Sequence, residues 1–204
     1  MSERVVPRLV VASKNRDKII EIESVLVREG LVGEIVRGLS WPDVEETETT
    51  LEGNALLKAR VVAAATRLPA LADDTGLEVA ALGGEPGVYT ARFAGVGASY
   101  QDNVDKMLAV LDGVEDRKAT FRSVVAVVWP SGEEVTAEGR LEGSITTQAR
   151  GSFGFGYDPI FEVAGKTLAE IGPEAKDAMS HRALALAALA QLLQKARLAD
   201  DPSA

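Results

Sequence analysis

Two adjacent aspartates, Asp73 and Asp74, stand between two short apolar runs at residues 68–71 and 77–82. Such runs are typical of buried strands. An ionised carboxylate inside a fold costs several kcal/mol unless a metal, a cation or hydrogen bonds compensate for it. Gly76, just after the pair, permits a tight turn or the close approach of a ligand. An isolated pair of this kind is most often an ordinary turn, so the rest of the chain decides its meaning.

Length, charge and composition exclude several classes of protein. The 204 residues suit one domain, or two joined lobes that share a core. A formal net charge of -9 argues against a general DNA or RNA binder, but a small anionic ligand needs only local positive charge. Without cysteine there is no disulfide or thiolate zinc site. We find no signal-peptide pattern and no membrane-length apolar run, and therefore expect a cytoplasmic protein.

A basic turn follows the first predicted strand. Residues 9–12 form a β-branched-rich run, and apolar residues recur at helical spacing over 19–26, before Gly30 as a helix stop. A helix N-terminus favours an anion, and lysine and arginine side chains add positive charge. An ordinary N-cap with solvated side chains is the alternative, because this is not a glycine-rich phosphate loop. The turn reads Ser13-Lys14-Asn15-Arg16-Asp17-Lys18.

An acidic loop at residues 41–50 lies between a short predicted strand at 34–36 and a helix that begins at Leu51. Acidic runs of this kind are most often solvated. Asn54 and Lys58 are four residues apart and therefore share one face of the helix. This face points either to solvent or towards Asp74, and periodicity does not choose between the two.

The middle of the chain predicts antiparallel strands. A loop rich in proline and glycine at residues 83–92 precedes an amphipathic helix at 104–111. Residues 120–129 and 134–141 predict two strands joined by a hairpin turn. Combined with the βα start, this pattern predicts the α/β class, with a mixed sheet flanked by helices.

A loop at residues 151–159 alternates glycines with aromatic residues, and Pro159 with a β-like pair at 160–161 follows it. The absence of a following helix excludes a dinucleotide-binding fingerprint. Two interpretations stay open. The backbone closes over a flat ligand, with a ring for stacking, or the segment is a glycine-rich turn with core aromatics.

The C-terminal helix predicted at residues 183–196 has an inner face of alanine and leucine, which is typical of core packing. Ser180-His181-Arg182 caps its start, and His181 is the only histidine. A lone histidine before a helix is more often structural than catalytic, and no nucleophile can be placed beside it. Residues 1–198 are predicted to form one domain, with a disordered tail at 199–204.

Five segments in order resemble the inosine triphosphate pyrophosphatase family, also called the Ham1 family. The resemblance runs from residue 9 to residue 193. Any one segment is a weak match, but five in order at suitable spacing are specific. They are Ser13-Lys14-Asn15-Arg16-Asp17-Lys18; Glu46 with Asn54-Ala55 and Lys58-Ala59; Ala72-Asp73-Asp74-Thr75-Gly76-Leu77 on to Pro86-Gly87-Val88-Tyr89-Thr90-Ala91-Arg92; Gly154-Phe155-Gly156-Tyr157-Asp158-Pro159-Ile160-Phe161; and Lys166-Thr167 with Lys176 and Ser180-His181-Arg182.

The resemblance implies an activity and an architecture. The family hydrolyses the bond between the α- and β-phosphates of deaminated purine nucleoside triphosphates (ITP, dITP and XTP), which gives the monophosphate and pyrophosphate and clears these purines from the nucleotide pool. It also implies Mg²⁺ as cofactor and a homodimer. The implied fold is an elongated mixed sheet in two lobes, with an active-site cleft between them.

The resemblance also implies residue roles. Asp74 is the proton acceptor and a magnesium ligand, and Glu46 is a second metal ligand. Mg²⁺ prefers carboxylate and water oxygens and lowers the pKa of bound water, whose proton a nearby carboxylate can take. The residues expected to hold the triphosphate are Ser13, Lys14, Asn15, Arg16, Asp17, Lys18 and Thr75. Those expected to hold the nucleotide, chiefly its base, are Phe155, Gly156, Tyr157, Asp158, Lys176, His181 and Arg182.

Selectivity against adenine has a simple physical account. Hypoxanthine and xanthine carry an oxygen at position 6, where adenine carries an amino group. A donor such as Arg182 facing that position would disfavour adenine, because leaving a buried donor unpaired costs ~1–3 kcal/mol. The sequence does not explain how guanine would be rejected.

Lys18, Lys58 and Arg92 are available to neutralise charge on phosphate oxygens.

Three other functions fit parts of the chain. A pyrimidine-directed pyrophosphatase of the Maf type is disfavoured by the loop at 155–158 and by Ser180-His181-Arg182. A non-catalytic nucleotide sensor would lose a carboxylate, whereas Glu46, Asp73 and Asp74 are all present. A phosphomonoesterase with an aspartyl nucleophile usually needs Asp-x-Asp rather than Asp-Asp.

Overall fold

The structure is a computed structural model that describes residues 6–200, with side chains described as far as residue 195. The chain divides into two compact units. Unit 1 takes in the chain up to Asp74, then Ser123–Gly139, then the chain from Arg182 onward. Unit 2 comprises Thr75–Arg122 and Arg140–His181.

Eight strands and five α-helices build the described chain. The strands are β1 (Val6–Val11), β2 (Val32–Ile35), β3 (Ala70–Val79), β4 (Pro86–Gly87), β5 (Lys118–Val128), β6 (Glu134–Ile145), β7 (Phe161–Val163) and β8 (Lys166–Thr167). The helices are α1 (Arg16–Arg28), α2 (Leu51–Thr66), α3 (Tyr100–Val110), α4 (Pro173–Met179) and α5 (His181–Asp200), with single 3-10 turns at Ala80–Leu82 and Thr90–Arg92.

The strands form one mixed sheet in the order β2-β1-β3-β5-β6-β7-β8, and β4 pairs with β3 beside this path. β1 runs parallel to β2, with Val6 opposite Val32, and parallel to β3, with Val11 opposite Leu71. The β6–β7 and β7–β8 pairs are antiparallel. The predicted α/β class with a mixed sheet is therefore confirmed.

The aspartate pair lies inside a continuous strand. Residues 70–79 form β3 without interruption, so Asp73, Asp74 and Gly76 are strand residues. The turn favoured for an isolated aspartate pair is wrong here. Its physical basis, the cost of two buried carboxylates, is removed by cations that contact both side chains.

Each unit has its own apolar core. The core of unit 1 packs α1 and α5 against β1 and the adjoining parts of β3 and β5, with Ile22, Leu71 and Leu186 fully enclosed. The core of unit 2 packs α3 against the remaining parts of the long strands, with Leu77, Met107 and Phe161 enclosed. The amphipathic patterns that predicted α1 and α3 reflect these two cores.

The C-terminal part of the chain differs in detail from prediction. A short helix, α4, precedes α5 and was not predicted, because seven residues around Lys176 show no apolar period. Helix α5 begins at His181 and runs to Asp200, past the predicted domain end at residue 198. Residues 201–204, the rest of the predicted tail, lie outside the described residues. Within residues 6–200, no helix is long and apolar enough to span a membrane.

Candidate active site

The turn at residues 13–18 connects β1 to α1 and caps the helix. The Oδ1 atom of Asn15 accepts hydrogen bonds from the backbone N–H groups of Asp17, at 2.9 Å, and Lys18, at 3.3 Å. The Ser13 hydroxyl accepts from the N–H of Asn15 at 3.2 Å. The N-cap of the alternative interpretation is therefore present. Three of the amides expected to face an anion are bonded to side chains within the turn itself.

The charged side chains of this turn point to different partners. Lys14 pairs with Asp43 on the surface, and Arg16 is exposed. Lys18 reaches Asp73, with 3.2 Å between its Nζ and Oδ2 of the carboxylate. Of the three cations, only Lys18 contacts the aspartate pair in the described part of the chain. It is therefore the cation of this turn that the structure brings to the site.

Asp73 lies in a buried cluster with helices α1 and α5. Its Oδ2 accepts from Nε of Arg182 at 3.1 Å, and the same guanidinium bonds to Glu21. Both Asp73 and Arg182 are only 2% exposed. Arg182, predicted to contact the base, therefore lies in unit 1 with an ion pair to each of two carboxylates.

Asp74 faces helix α2. Lys58 donates from Nζ to Oδ1 of Asp74 at 2.9 Å and to Glu46 at 2.7 Å, and the Asn54 amide donates to Oδ2 of Asp74 at 3.3 Å. The structure thus decides what periodicity left open, because the shared face of Asn54 and Lys58 points to Asp74. The sequence spacing showed that Asn54 and Lys58 share one face of α2, but only the position of β3 shows that this face contacts Asp74.

The acidic loop before α2 is held in place by the helix start. The Thr50 hydroxyl caps α2 by accepting from the N–H of Gly53 at 3.0 Å, and Oδ1 of Asn54 accepts from the N–H of Glu48 at 3.0 Å. A Cβ atom at Gly53 would lie 2.8 Å from Cβ of Glu48, so the loop packs against a position that only glycine can occupy without displacement. These contacts keep Glu46 beside Asp74.

The two adjacent carboxylates are perturbed in opposite directions. Burial disfavours the charged form of Asp73, but Lys18, Arg182 and Lys58 outweigh it and hold the pKa of that carboxyl far below its usual range. Burial raises the pKa of Asp74 above its ordinary value, against the opposing effect of Lys58 and Lys18. Burial also disfavours the charged form of Lys58, yet Asp74, Asp73 and Glu46 raise the pKa of its ammonium, which stays charged.

The donor set around Asp74 suits a shared magnesium ion. Mg²⁺ is usually bound through one or two carboxylates, with phosphate and water oxygens completing its shell. Asp74 and Glu46 bond to one ammonium, so their oxygens converge at a single cationic position. Among the described side chains no cluster of three or more acidic or histidine residues could hold a metal by itself. The carboxylates of Asp74 and Glu46 could therefore supply part of the oxygen shell of a divalent cation such as Mg²⁺.

A second cluster, in unit 2, is built around Asp158. This buried carboxylate accepts from the N–H of Phe155 at 2.8 Å and pairs with Nζ of Lys176 at 2.5 Å. Lys176 also lies over the Phe155 ring, 4.9 Å from its centre, and Tyr100 stands 5.7 Å from the same ring. A Cβ atom at Gly154 would meet Oδ2 of Asp158 at 2.0 Å, so glycine is required for the loop to fold over this carboxylate.

The remaining predicted residues of unit 2 are divided between the core and the surface. Tyr157 is buried, donates from its hydroxyl to the Thr90 carbonyl at 3.0 Å, and has a pKa raised by burial. The buried His181 ring stacks on Phe121 at 4.5 Å. Thr75 is half-buried, and Gly156 takes a left-handed backbone with φ of 63°. Tyr157 therefore has the character of a core aromatic, whereas Phe155 is only half-buried.

The predicted residues thus fall into two groups. Unit 1 holds Ser13, Lys14, Asn15, Arg16, Asp17, Lys18, Glu46, Asp74 and Arg182. Unit 2 holds Thr75, Phe155, Gly156, Tyr157, Asp158, Lys176 and His181. The contacts add Glu21 and Tyr100, which sequence reasoning missed because neither lies in a distinctive motif, and they give Asn54, Lys58 and Asp73 definite partners.

Known proteins resemble this chain over nearly its full length. It is 51% identical over 185 residues to a dITP/XTP pyrophosphatase of Symbiobacterium thermophilum, covering 88% of this chain and 91% of that protein. It is 47% identical over 187 residues to one of Caulobacter vibrioides, covering 89% and 95%. Among solved structures, a HAM1 protein from Coxiella burnetii matches with a TM-score of 0.82 at 40% identity, covering 93% of this chain and 99% of that one.

A solved structure from Mycobacterium abscessus, described as a nucleoside-triphosphatase and dITP/XTP pyrophosphatase, matches with a TM-score of 0.70 at 45% identity. It covers 89% of this chain and 97% of its own. The sequence model of the Ham1 family matches residues 9–192, the same stretch that carries the five motifs. On sequence, fold and motif order together, this chain belongs to the Ham1 family.

Proposed function

We propose that this protein is an enzyme that hydrolyses deaminated purine nucleoside triphosphates, ITP, dITP and XTP, to the monophosphate and pyrophosphate. Its relatives are named dITP/XTP pyrophosphatases. The observation that carries the proposal is the cluster in unit 1, in which Asp74 and Glu46 converge on Lys58 beside a basic turn. Such a cluster combines metal-binding oxygens, a proton acceptor and cations for phosphate oxygens.

In the proposed reaction, Asp74 and Glu46 would hold the Mg²⁺ ion. The ion, when bound, polarises phosphoryl oxygens and acidifies a coordinated water. Asp74 takes the proton of the attacking water, a role for which its raised pKa makes it a better base than an ordinary aspartate. Lys58 and Lys18 neutralise negative charge next to that carboxylate.

We assign substrate contacts as the motif positions indicate. The turn that consists of Ser13, Lys14, Asn15, Arg16, Asp17 and Lys18 holds the triphosphate, together with Thr75. The loop of Phe155, Gly156, Tyr157 and Asp158 binds the nucleotide with Lys176, His181 and Arg182. Support for this second assignment comes from the half-buried Phe155, an aromatic residue of the kind that can stack on a purine, and from the Lys176 ammonium beside its ring.

Two further assignments also belong to the proposal. The protein is a homodimer, for which light scattering in solution should give a molar mass near twice the 21.6 kDa of one chain. Its location is the cytoplasm, where the nucleotide pool is used. A molar mass of one chain at all protein concentrations in the micromolar range would contradict the proposed homodimer.

Product analysis tests the reaction and its selectivity together. The protein is incubated with Mg²⁺ and, separately, ITP, dITP, XTP, ATP, GTP and dTTP, and both pyrophosphate and phosphate are assayed. We expect pyrophosphate from the first three and little from the others. Release of single phosphate would exclude the assigned chemistry, equal turnover of ATP would exclude the assigned base selectivity, and preferential turnover of dTTP would favour the pyrimidine-directed alternative.

A further inference from the structure

Asp73 is a buried carboxylate to which the proposed reaction gives no role. It is 2% exposed, and its Oδ2 atom accepts from two cations, Lys18 at 3.2 Å and Arg182 at 3.1 Å. Arg182 in turn bonds to Glu21 of α1. One carboxylate oxygen of β3 therefore connects the first turn of α1 with the first turn of α5.

The two cations on Asp73 differ in their surroundings. Arg182 has a side chain only 2% exposed and forms ion pairs with two carboxylates, Asp73 and Glu21. The side chain of Lys18 is 20% exposed, and Lys18 is the last residue of the turn assigned to the triphosphate. An ammonium carries three donors, so one carboxylate partner does not exhaust its capacity. Lys18 can therefore contact Asp73 and a phosphate oxygen together.

We propose that Asp73 is a positioning residue for Lys18: it fixes the ammonium where that group receives a triphosphate oxygen, and it does not itself touch the substrate. The inference rests on the proposed function, because it takes residues 13–18 as the phosphate-binding turn. The physical reason is conformational freedom. A lysine stem is long and flexible, and an ammonium that is already held loses less freedom when a phosphate binds.

The other roles open to a buried aspartate fit Asp73 less well. Successive strand residues point to opposite faces, and Asp73 contacts α1 and α5 whereas Asp74 contacts α2. Asp73 thus pairs directly with Lys18 and Arg182, whereas Asp74 shares the Lys58 ammonium with Glu46. The direct partners of Asp73 therefore belong to the phosphate-binding turn and to α5 and not to the proposed metal position.

A double-mutant cycle on product binding tests the proposal. Calorimetry measures the affinity for inorganic pyrophosphate of the wild-type protein, Lys18→Met, Asp73→Asn and the double variant. We expect each single change to weaken binding about tenfold, as for the loss of one charge-assisted hydrogen bond. We expect the double variant to bind no more weakly than either single one, because both remove the same contact. In turnover, the loss should lie in KM more than in kcat.

Losses that multiply in the double variant would show that Asp73 acts independently of Lys18 and would overturn the proposal. So would wild-type affinity in Asp73→Asn. Asp73→Asn leaves the buried Arg182 with one carboxylate fewer, so folding is checked by circular dichroism. If that protein does not fold, Asp73→Glu carries the test. It keeps the charge but displaces the carboxylate, so pyrophosphate binding should still weaken at least about threefold, and unchanged affinity would count against the inference.

Leu186→Ala is the matched control. Leu186 is fully buried in the core of unit 1 and belongs to neither charged cluster. This variant should lower the melting temperature without changing pyrophosphate affinity. Equal weakening in Leu186→Ala and Asp73→Asn would mean that general destabilisation, and not positioning, explains the loss. Absence of pyrophosphate binding by the wild-type protein would instead count against the proposed function itself.

Discussion

At the scale of single residues, two chemically identical side chains one position apart have opposite properties. Asp73 meets Lys18 and Arg182 and stays ionised, with a pKa far below its ordinary value. Burial raises the pKa of Asp74, which shares Lys58 with another carboxylate. The alternation of a β-strand separates the two environments. The surroundings therefore favour the charged form of Asp73, whereas burial disfavours the charged form of Asp74.

The role of Asp74 leads to a prediction about turnover. Asp74→Asn removes the proposed proton acceptor and a proposed metal-binding oxygen while keeping the size of the side chain and an oxygen that can accept from Asn54. We expect kcat for dITP hydrolysis to fall by at least about 10²-fold, the usual effect of losing a general base. Binding of dITP in the absence of Mg²⁺, measured by calorimetry, should change little.

Asp112→Asn is the control, since it neutralises an exposed aspartate outside both clusters and should leave kcat unchanged. If the Asp74→Asn protein hydrolyses dITP at the wild-type rate, Asp74 is not the proton acceptor. One that loses nucleotide binding as well as turnover would assign to Asp74 a binding role in place of the catalytic one.

At the scale of elements, helix α2 and the loop before it hold Lys58 and Glu46 beside Asp74, where we propose that the metal binds. The Thr50 cap and the Asn54 amide fix the loop, and Lys58, one turn after Asn54, reaches Glu46 and Asp74. The loop lies against the helix at Gly53. The glycine at this position is therefore explained by close packing and not by backbone conformation.

Gly53→Ala separates packing from helix propensity. Propensity alone predicts that alanine stabilises a helix by about 0.8–1 kcal/mol relative to glycine. The added methyl group would instead meet Cβ of Glu48 at 2.8 Å, and overpacking typically costs about 1–3 kcal/mol. We expect a net loss, seen in a thermal melt as a midpoint lower by about 2–4 °C.

Turnover should fall together with stability in this variant, because the displaced loop carries Glu46. Thr50→Ser is the matched control. It keeps a hydroxyl to accept from Gly53 and should melt close to the wild-type protein. A Gly53→Ala protein that melts at a higher temperature than wild type would show that the loop moves aside freely.

At the scale of the whole molecule, the two units are not consecutive in sequence. The boundaries between them fall inside β3, β5 and β6, so each of these strands begins in one unit and ends in the other. If the half of such a strand that lies in one unit unfolds, the half in the other unit is no longer held in place at one end. Its own hydrogen bonds and core contacts are weakened as a result. We therefore expect the units to unfold together, in spite of their separate cores.

The positions of the aromatic residues make this expectation measurable. Both tryptophans, Trp41 and Trp129, lie in unit 1, whereas far-UV circular dichroism reports on helices and strands of the entire chain. Thermal melts followed by tryptophan fluorescence and by circular dichroism should have coincident midpoints. Leu186→Ala should shift both midpoints equally. A fluorescence transition that is complete before the dichroism change begins would show that unit 1 melts alone.

The sequence alone was sufficient for the family and for the longer elements, but not for the short helix α4. Apolar periods predicted α1, α2, α3 and the β5–β6 hairpin, because helix and strand periodicity is a local property of the chain. Motif order indicated the Ham1 family, and the aspartate pair marked the site. The predicted roles of the individual site residues, the magnesium ion, the cleft and the dimer stay predictions.

Only the tertiary structure decided which charges meet. Periodicity could not orient Asn54 and Lys58, and no local signal connected Lys18 with Asp73 or Arg182 with Glu21, since these partners come from different elements and are distant in sequence. The turn that an isolated aspartate pair favours does not form here: the pair lies in a strand, and cations distant in sequence offset the cost of burying its carboxylates. Local propensity depends on neighbours along the chain, whereas the energy of a buried charge depends on neighbours in space.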